Sequence, residues 1–153
     1  PSSRKQTRWG GKSNSNFNKI LNSMKYNKNF KLFIFEGLSP NKIDSFRNFA
    51  DITLDEVVTG CFHLVSYEGL YFGNVVINND DLISLDIFAE SISSNIHPPF
   101  LISNENELFD KLIYLSQNDS LVNDFKEQGK SFFTKYLNPN RIANIYKNFY
   151  DSI

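Results

Sequence analysis

Residues 50–77, ADITLDEVVTGCFHLVSYEGLYFGNVVI, constrain the fold more than any other part of the chain. A short apolar strand, a turn at Gly60, a helix apolar on nearly all sides and a second apolar strand follow one another almost without spacers. Two strands joined through a helix are expected to pair in parallel, with the helix crossing over one face of the sheet. This is the βαβ layout of nucleotide-binding domains, in which ligands sit at the carboxyl ends of the strands.

The flanking sequence extends the same pattern. Phe17, Ile20, Leu21 and Met24 stand at helical spacing after a polar opening segment. Residues 30–35 are apolar except for Lys31, which predicts a strand covered on both faces. Gly37 ends it, and Pro40 or Asn41 starts a short helix carrying Ile43, Phe46 and Phe49. Residues 51–55 and 74–78 are the strands of the βαβ unit, around a helix over 62–72 that Gly73 stops. A helix through Leu82, Leu85, Ala89 and Ile92 leads to Pro98-Pro99 and a short strand over 100–102. Beyond it the chain reads as helical, with Leu108, Leu112 and Leu115 marking one helix and Leu121, Val122 and Phe125 the next. Asn138-Pro139 caps a last helix with Ile142, Ile145, Tyr146, Phe149 and Ile153 on one face. The fold class expected is α/β, a Rossmann-like parallel sheet of at most four strands flanked by helices.

At 153 residues, 41% of them hydrophobic, the chain has the size of one domain with a substantial core. It begins Pro-Ser-Ser without Met, so the domain is expected to be a fragment of a longer protein, with a first strand preceding Pro1. The net charge of −1 conceals an asymmetry, because residues 1–35 hold eight Lys or Arg and no acid. Such a segment suits nucleic acid, an anionic membrane or a phosphorylated ligand, and charge alone does not choose among them. The single cysteine, Cys61, excludes an internal disulfide framework and fits a reducing, cytoplasmic setting. No apolar run approaches the roughly 20 residues that span a bilayer, which leaves peripheral membrane contact as the form of association to expect. Cys61, His63 and His97 lack the spacing of a zinc site. Gly11-Lys12-Ser13 is similar to the end of a phosphate-binding Walker loop, but Gln6 stands where its first Gly belongs and no strand precedes it, which excludes an NTPase.

The carboxyl end of the first βαβ strand is where chemistry is expected. The turn at residues 59–63 lies there, before a helix amino terminus whose N–H groups and dipole favour phosphate. Glu68, in the helix that follows, either accepts hydrogen bonds from ribose hydroxyls or is a solvated acid at the helix edge. His63 either donates to a phosphate or sugar or is a polar side chain at a turn.

Ala50-Asp51-Ile52 with Asp55, then Gly60-x-Phe62 with Glu68-Gly69, then Phe72-Gly73-x-Val75-Val76-Ile77, form a pattern that resembles the donor-binding half of GT-B glycosyltransferases. There the usual run is close to ADI…D…G-x-(F/Y)-G-x-x-x-x-E-A-M-A-x-G-x-P-V-I. In retaining members two acids bracket the turn and helix, the first meeting the donor sugar and the second the nucleotide ribose. Glu68 matches the second. Gly60 stands in place of the first, and the resemblance implies that Asp55 or Glu56 reaches the sugar instead. The opening PSSRKQTRWGG resembles the family's phosphate loop, with Arg4 matching its Arg and Arg8-x-Gly10 approximating its Lys-Gly pair. The closing Ile145-Tyr146-x-x-Phe149-Tyr150 resembles the family's last helix, whose aromatics are expected to be partly exposed in an isolated domain.

The resemblance implies the carboxyl-terminal, nucleotide-sugar-binding domain of a hexosyltransferase-like enzyme. Its reaction moves a sugar from a UDP- or GDP-linked donor to an acceptor hydroxyl in polysaccharide or glycoconjugate synthesis. The donor-binding set implied is Arg4, Arg8, Asp55, Gly60, Phe62, His63, Leu64 and Glu68. No cofactor and no metal are implied, because cationic side chains stabilise the departing diphosphate. The implied partners are the nucleotide sugar, a carbohydrate or lipid-linked acceptor, and the amino-terminal domain of the same enzyme, with no nucleic acid among them. The isolated chain is expected to be inactive. Gly60 in place of the first acid keeps open a non-catalytic nucleotide-sugar-binding or partner domain, and the basic amino terminus keeps open a nucleic-acid-binding module marked by steep salt dependence.

Overall fold

A computed structural model describes residues 15–35, 37–58 and 60–153. The chain forms helix α1 (Ser15–Lys25), α2 (Pro40–Arg47), strand β1 (Ile52–Leu54), α3 (Leu64–Phe72), β2 (Val75–Asn78), α4 (Leu82–Ser91), β3 (Leu101–Ile102), α5 (Leu108–Ser116), α6 (Asp119–Phe132), a π-helical turn (Phe133–Leu137) and α7 (Pro139–Asp151). The three strands make one parallel sheet in the order β1-β2-β3, with Ile52 opposite Val75 and Ile77 opposite Leu101. The expected α/β architecture is therefore present as a small Rossmann-like sheet flanked by helices.

All four residues of β2 are buried, as a central parallel strand requires. Its side chains alternate between two cores. Val75 and Ile77 join Met24, Val57, Leu108, Leu112 and Leu115 on one face, with Phe17, Ile20 and Leu21 of α1 packed against them. Val76 joins Leu70, Leu85, Ile92, Phe100, Phe132 and Tyr136 on the other. The crossover helix α3 lies so close to the sheet that a Cβ on Gly69 would sit 2.6 Å from Val76 Cγ2 and 3.0 Å from Thr53 Cβ. Gly73 ends that helix at φ +70, as its position in the sequence predicts.

The strand expected over residues 30–35 is not formed. Phe30 and Leu32 pack against the first core, whereas Phe33 and Ile34 are exposed. The Phe33 and Phe35 rings lie against Phe46 of α2, with centroids 5.6 and 4.6 Å away. A strand exists only where a neighbour completes its ladder. Among the described residues β1 is the edge of the sheet, and the apolar run of 30–35 satisfies itself by ring packing on α2.

The last helix opens as expected, with Asn138 accepting from the Asn140 N–H and Pro139 in the first turn. It has no buried residue, and Tyr146, Phe149 and Tyr150 are largely exposed. Its anchor is Arg141, which donates to the carbonyls of Ile92 and Ser93. No helix among the described residues is long and apolar enough to cross a membrane.

Candidate functional site

The carboxyl ends of the strands carry one cluster of buried polar residues, Glu56, Ser66, Asn78 and Asp80 among them. Directly after β1, the Asp55 N–H donates to Ile77 O, and the side chain turns toward the start of α3. Asp55 Oδ2 accepts from the His63 N–H and from the Ser66 hydroxyl, each at 2.8 Å, and Oδ1 stands 3.5 Å from His63 Nδ1. His63 occupies the N-cap position of α3 without capping it through its own side chain. Asp55, eight residues upstream, takes over that task, and its negative charge opposes the positive end of the helix. Ser66 in turn accepts from Asn78 Nδ2, and Asn78 Oδ1 accepts from the Asp80 N–H. Asp55, Ser66, Asn78 and Asp80 thus make one polar chain across β1, α3 and β2.

Gly60 shapes the turn above this chain. Its φ of +80 is in the left-handed region that side-chain-bearing residues avoid. Its carbonyl accepts from the Asp81 N–H, and the Asn79 N–H donates to Glu56 O, so the loop after β1 is fastened to the loop after β2. Glu56 is itself buried, its carboxylate accepting from the Val58 N–H. Asp81 caps α4 by accepting from the Ser84 N–H, and that hydrogen bond holds its carboxyl below the usual range.

Asp80 is the outlier. It is 5% exposed, and neither carboxylate oxygen has a hydrogen-bond partner among the described residues. Burial first, then the charges of Asp81 and Asp55, push its pKa up to about 6; the nearby Asp81 amide and Ser84 hydroxyl offset this only in part. Tyr67 lies within reach of that charge, and burial followed by Asp80 raises its phenol well above the usual range.

Five of the residues singled out in the sequence therefore gather around one turn: Asp55, Gly60, Phe62, His63 and Leu64. Their settings differ. Phe62 is a core residue, its ring 5.2 Å from Phe88 and 5.5 Å from Phe100. Leu64 is exposed at the first position of α3. His63 keeps about a third of its side chain exposed, whereas Asp55 is 7% exposed. Glu68 does not join them. One helical turn further on, its Oε2 pairs with Arg47 Nη2 at 2.6 Å. The Arg47 carbonyl accepts from Asn74 at the opening of β2, so this ion pair belongs to the opposite end of the sheet. Arg4 and Arg8 lie outside the described residues.

Ser66, Asn78 and Asp80 were missed in the sequence. The available signal was a Ser inside a mostly apolar helix and an Asn-Asn-Asp run closing an apolar strand, polar groups that burial obliges to pair. Among the described residues no group of three His, Cys, Asp or Glu is arranged to hold a metal ion. A groove of about 690 Å³ between α3, α4 and α7, lined by Leu64, Tyr67, Phe88 and Ile145 among others, is apolar and offers no charge to an anion.

No protein-family model, curated protein or solved structure matches the chain significantly.

Proposed function

We propose that the chain is the donor-binding domain of a GT-B-like glycosyltransferase, binding a UDP- or GDP-sugar at the crevice above Asp55, Gly60 and His63. The observation that carries this reading is the turn at residues 60–63. It sits at the carboxyl end of a parallel strand, is bent by Gly60 at φ +80 and opens directly into α3. Beyond the His63 amide that Asp55 caps and the Ser66 amide that donates to His63 O, the Leu64 and Val65 amides in the first turn of α3 have no partner four residues back, which makes them donors for an anionic group. The transfer itself, from the sugar's anomeric carbon to a carbohydrate or lipid-linked acceptor hydroxyl, needs a second domain to close the crevice and exclude water. Cationic side chains, with no metal, would meet the developing diphosphate charge.

A second reading, a nucleotide-sugar-binding domain without turnover, is favoured by two observations. Gly60 brings no carboxylate to the turn, and Glu68 is engaged with Arg47.

Chemical-shift mapping with UDP, GDP and their hexose conjugates tests both readings. The expected result is perturbation centred on residues 60–66 at millimolar nucleotide. Shifts confined to the amino-terminal basic segment, or none, would refute the site. Transfer by the chain joined to its complementary domain separates the catalytic reading from the non-catalytic one.

A further inference from the structure

We propose that the apolar face made by α7 with the outer sides of α3 and α4 is a homodimer interface, covered by the same face of a second copy of this chain. The stripe on α7 is the starting point. Ile142, Ile145, Tyr146 and Phe149 recur at helical spacing, yet the helix has no buried residue. Ile142 packs against the second core, whereas Tyr146, Phe149 and Tyr150 remain 60% to 70% exposed. The groove of about 690 Å³ beside them is walled by Leu64, Tyr67 and Phe88 and by Ile145, Tyr146 and Phe149, and among the described residues no charged side chain lines it. Tyr71, 57% exposed, continues the face, because its ring lies 5.2 Å from Phe133 in the groove wall. Tyr150 continues it on the other side, 5.8 Å from the Phe149 ring.

Area, charge and shape all select a second copy as the occupant. At roughly 200 Å² for an aromatic side chain, Tyr71, Tyr146, Phe149 and Tyr150 leave roughly 500 Å² in water. Leu64, 67% exposed, and the groove walls bring the face to on the order of 700 Å². Monomers seldom expose a contiguous apolar patch above about 600 Å², and a stable interface takes about 800 Å² from each partner. Both cations of α7 are engaged, Arg141 with the carbonyls of Ile92 and Ser93 and Lys147 with Asp151. The helix therefore holds out no unpaired cation to an anionic membrane or to nucleic acid, and a like face brings no like charge against it. A ridge at Phe149 and Tyr150 stands beside the groove, so a two-fold axis can set the ridge of each chain into the groove of the other, with every contact made twice.

Sedimentation equilibrium between about 5 and 500 μM tests the proposal, since interfaces of this area reach micromolar affinity or better. The weight-average mass of the wild type should rise from one chain toward two across that range. Phe149→Glu and Tyr146→Glu each bring a carboxylate from both chains into the interface, and each should weaken association at least tenfold. Because α7 has no buried residue, both variants should keep the wild-type amide spectrum of β2. Tyr26→Glu is the control. It makes the same change at an exposed aromatic just after α1, on the other face of the sheet, and should associate like the wild type. In an equal mixture of ¹³C-labelled and unlabelled wild-type chains, interchain NOEs should join the Tyr146 and Phe149 rings to groove residues. A wild type that stays a single chain at about 500 μM would overturn the proposal. So would association that both α7 variants leave intact, equal loss in Tyr26→Glu, or interchain NOEs from another surface. A single chain that instead binds phosphatidylglycerol vesicles through α7 would give the face to lipid and overturn it as well. None of these readouts involves a nucleotide, so they stand apart from the donor-site reading.

Discussion

Replacing Asp80 by Asn should stabilise the protein at neutral pH. The Asp80 carboxyl is buried, has no hydrogen-bond partner among the described residues, and faces the charges of Asp81 and Asp55. Its pKa rises from 3.8 to about 6 in the folded protein. Because the folded value lies above the unfolded one, the native state holds the proton more tightly. This contribution to stability is full below about pH 3.8 and is lost as pH rises through about 6. A rise of that size corresponds to about 3 kcal/mol once both states are ionised, at 1.36 kcal/mol per pKa unit. Charges inside a folded protein act through an effective dielectric well above that of a dry interior, so about 1–2 kcal/mol is the working figure. Asn preserves the shape and removes the charge. Urea unfolding of Asp80→Asn and wild type at about pH 4 and pH 7.5 should show near-equal midpoints at the acid end and a higher midpoint for the variant at the neutral end. Comparing the two proteins at each pH cancels the titration of the other carboxylates. A variant no more stable at neutral pH, or a difference independent of pH, would refute the reasoning and show that the ionised Asp80 is compensated by a partner.

Gly69→Ala should cost about 1–3 kcal/mol in urea unfolding, because the new methyl group would meet Val76 Cγ2 at 2.6 Å and push α3 off the sheet; a neutral effect would mean the helix can shift freely. Glu68→Gln should lower stability by up to about 1 kcal/mol through loss of the Arg47 pair while leaving nucleotide affinity within about twofold; a tenfold loss of affinity would return Glu68 to the ribose. Asn138→Ala removes the cap of α7 and should cost about 1 kcal/mol locally. Hydrogen exchange should then quicken within residues 139–151 while the β2 amides stay protected, since that helix has no buried residue; loss of protection in β2 would show that α7 holds the core together.

The order of elements could be read along the chain because its signals are local. The spacing of Phe17, Ile20, Leu21 and Met24, the Val-Val-Ile of the central strand, Gly73 after one helix and Asn138-Pro139 before another each act within a turn or two of backbone. The parallel βαβ unit followed from the same signals, since a helix between two adjacent apolar strands leaves few ways to connect them. Contacts between distant residues lay beyond such reading. Whether residues 30–35 form a strand depended on a ladder partner, and the ring of Phe46 competed successfully for Phe33 and Phe35. Periodicity placed Glu68 on a helix near the turn, but Arg47, 21 residues away in sequence, drew it to the other end of the sheet. Asp55 was visible as an acid at a strand end. Its hydrogen bonds to His63 and Ser66, which make it the cap of α3, arise only when α3 folds back over β1. The sequence by itself determined most of the helices and the strands of the βαβ unit, residues 30–35 excepted, because backbone preference and apolar periodicity are properties of neighbours. Tertiary structure alone decided which acids are buried, which are paired and which, like Asp80, have no hydrogen-bond partner among the described residues, because burial and charge pairing are set by whatever the fold brings alongside.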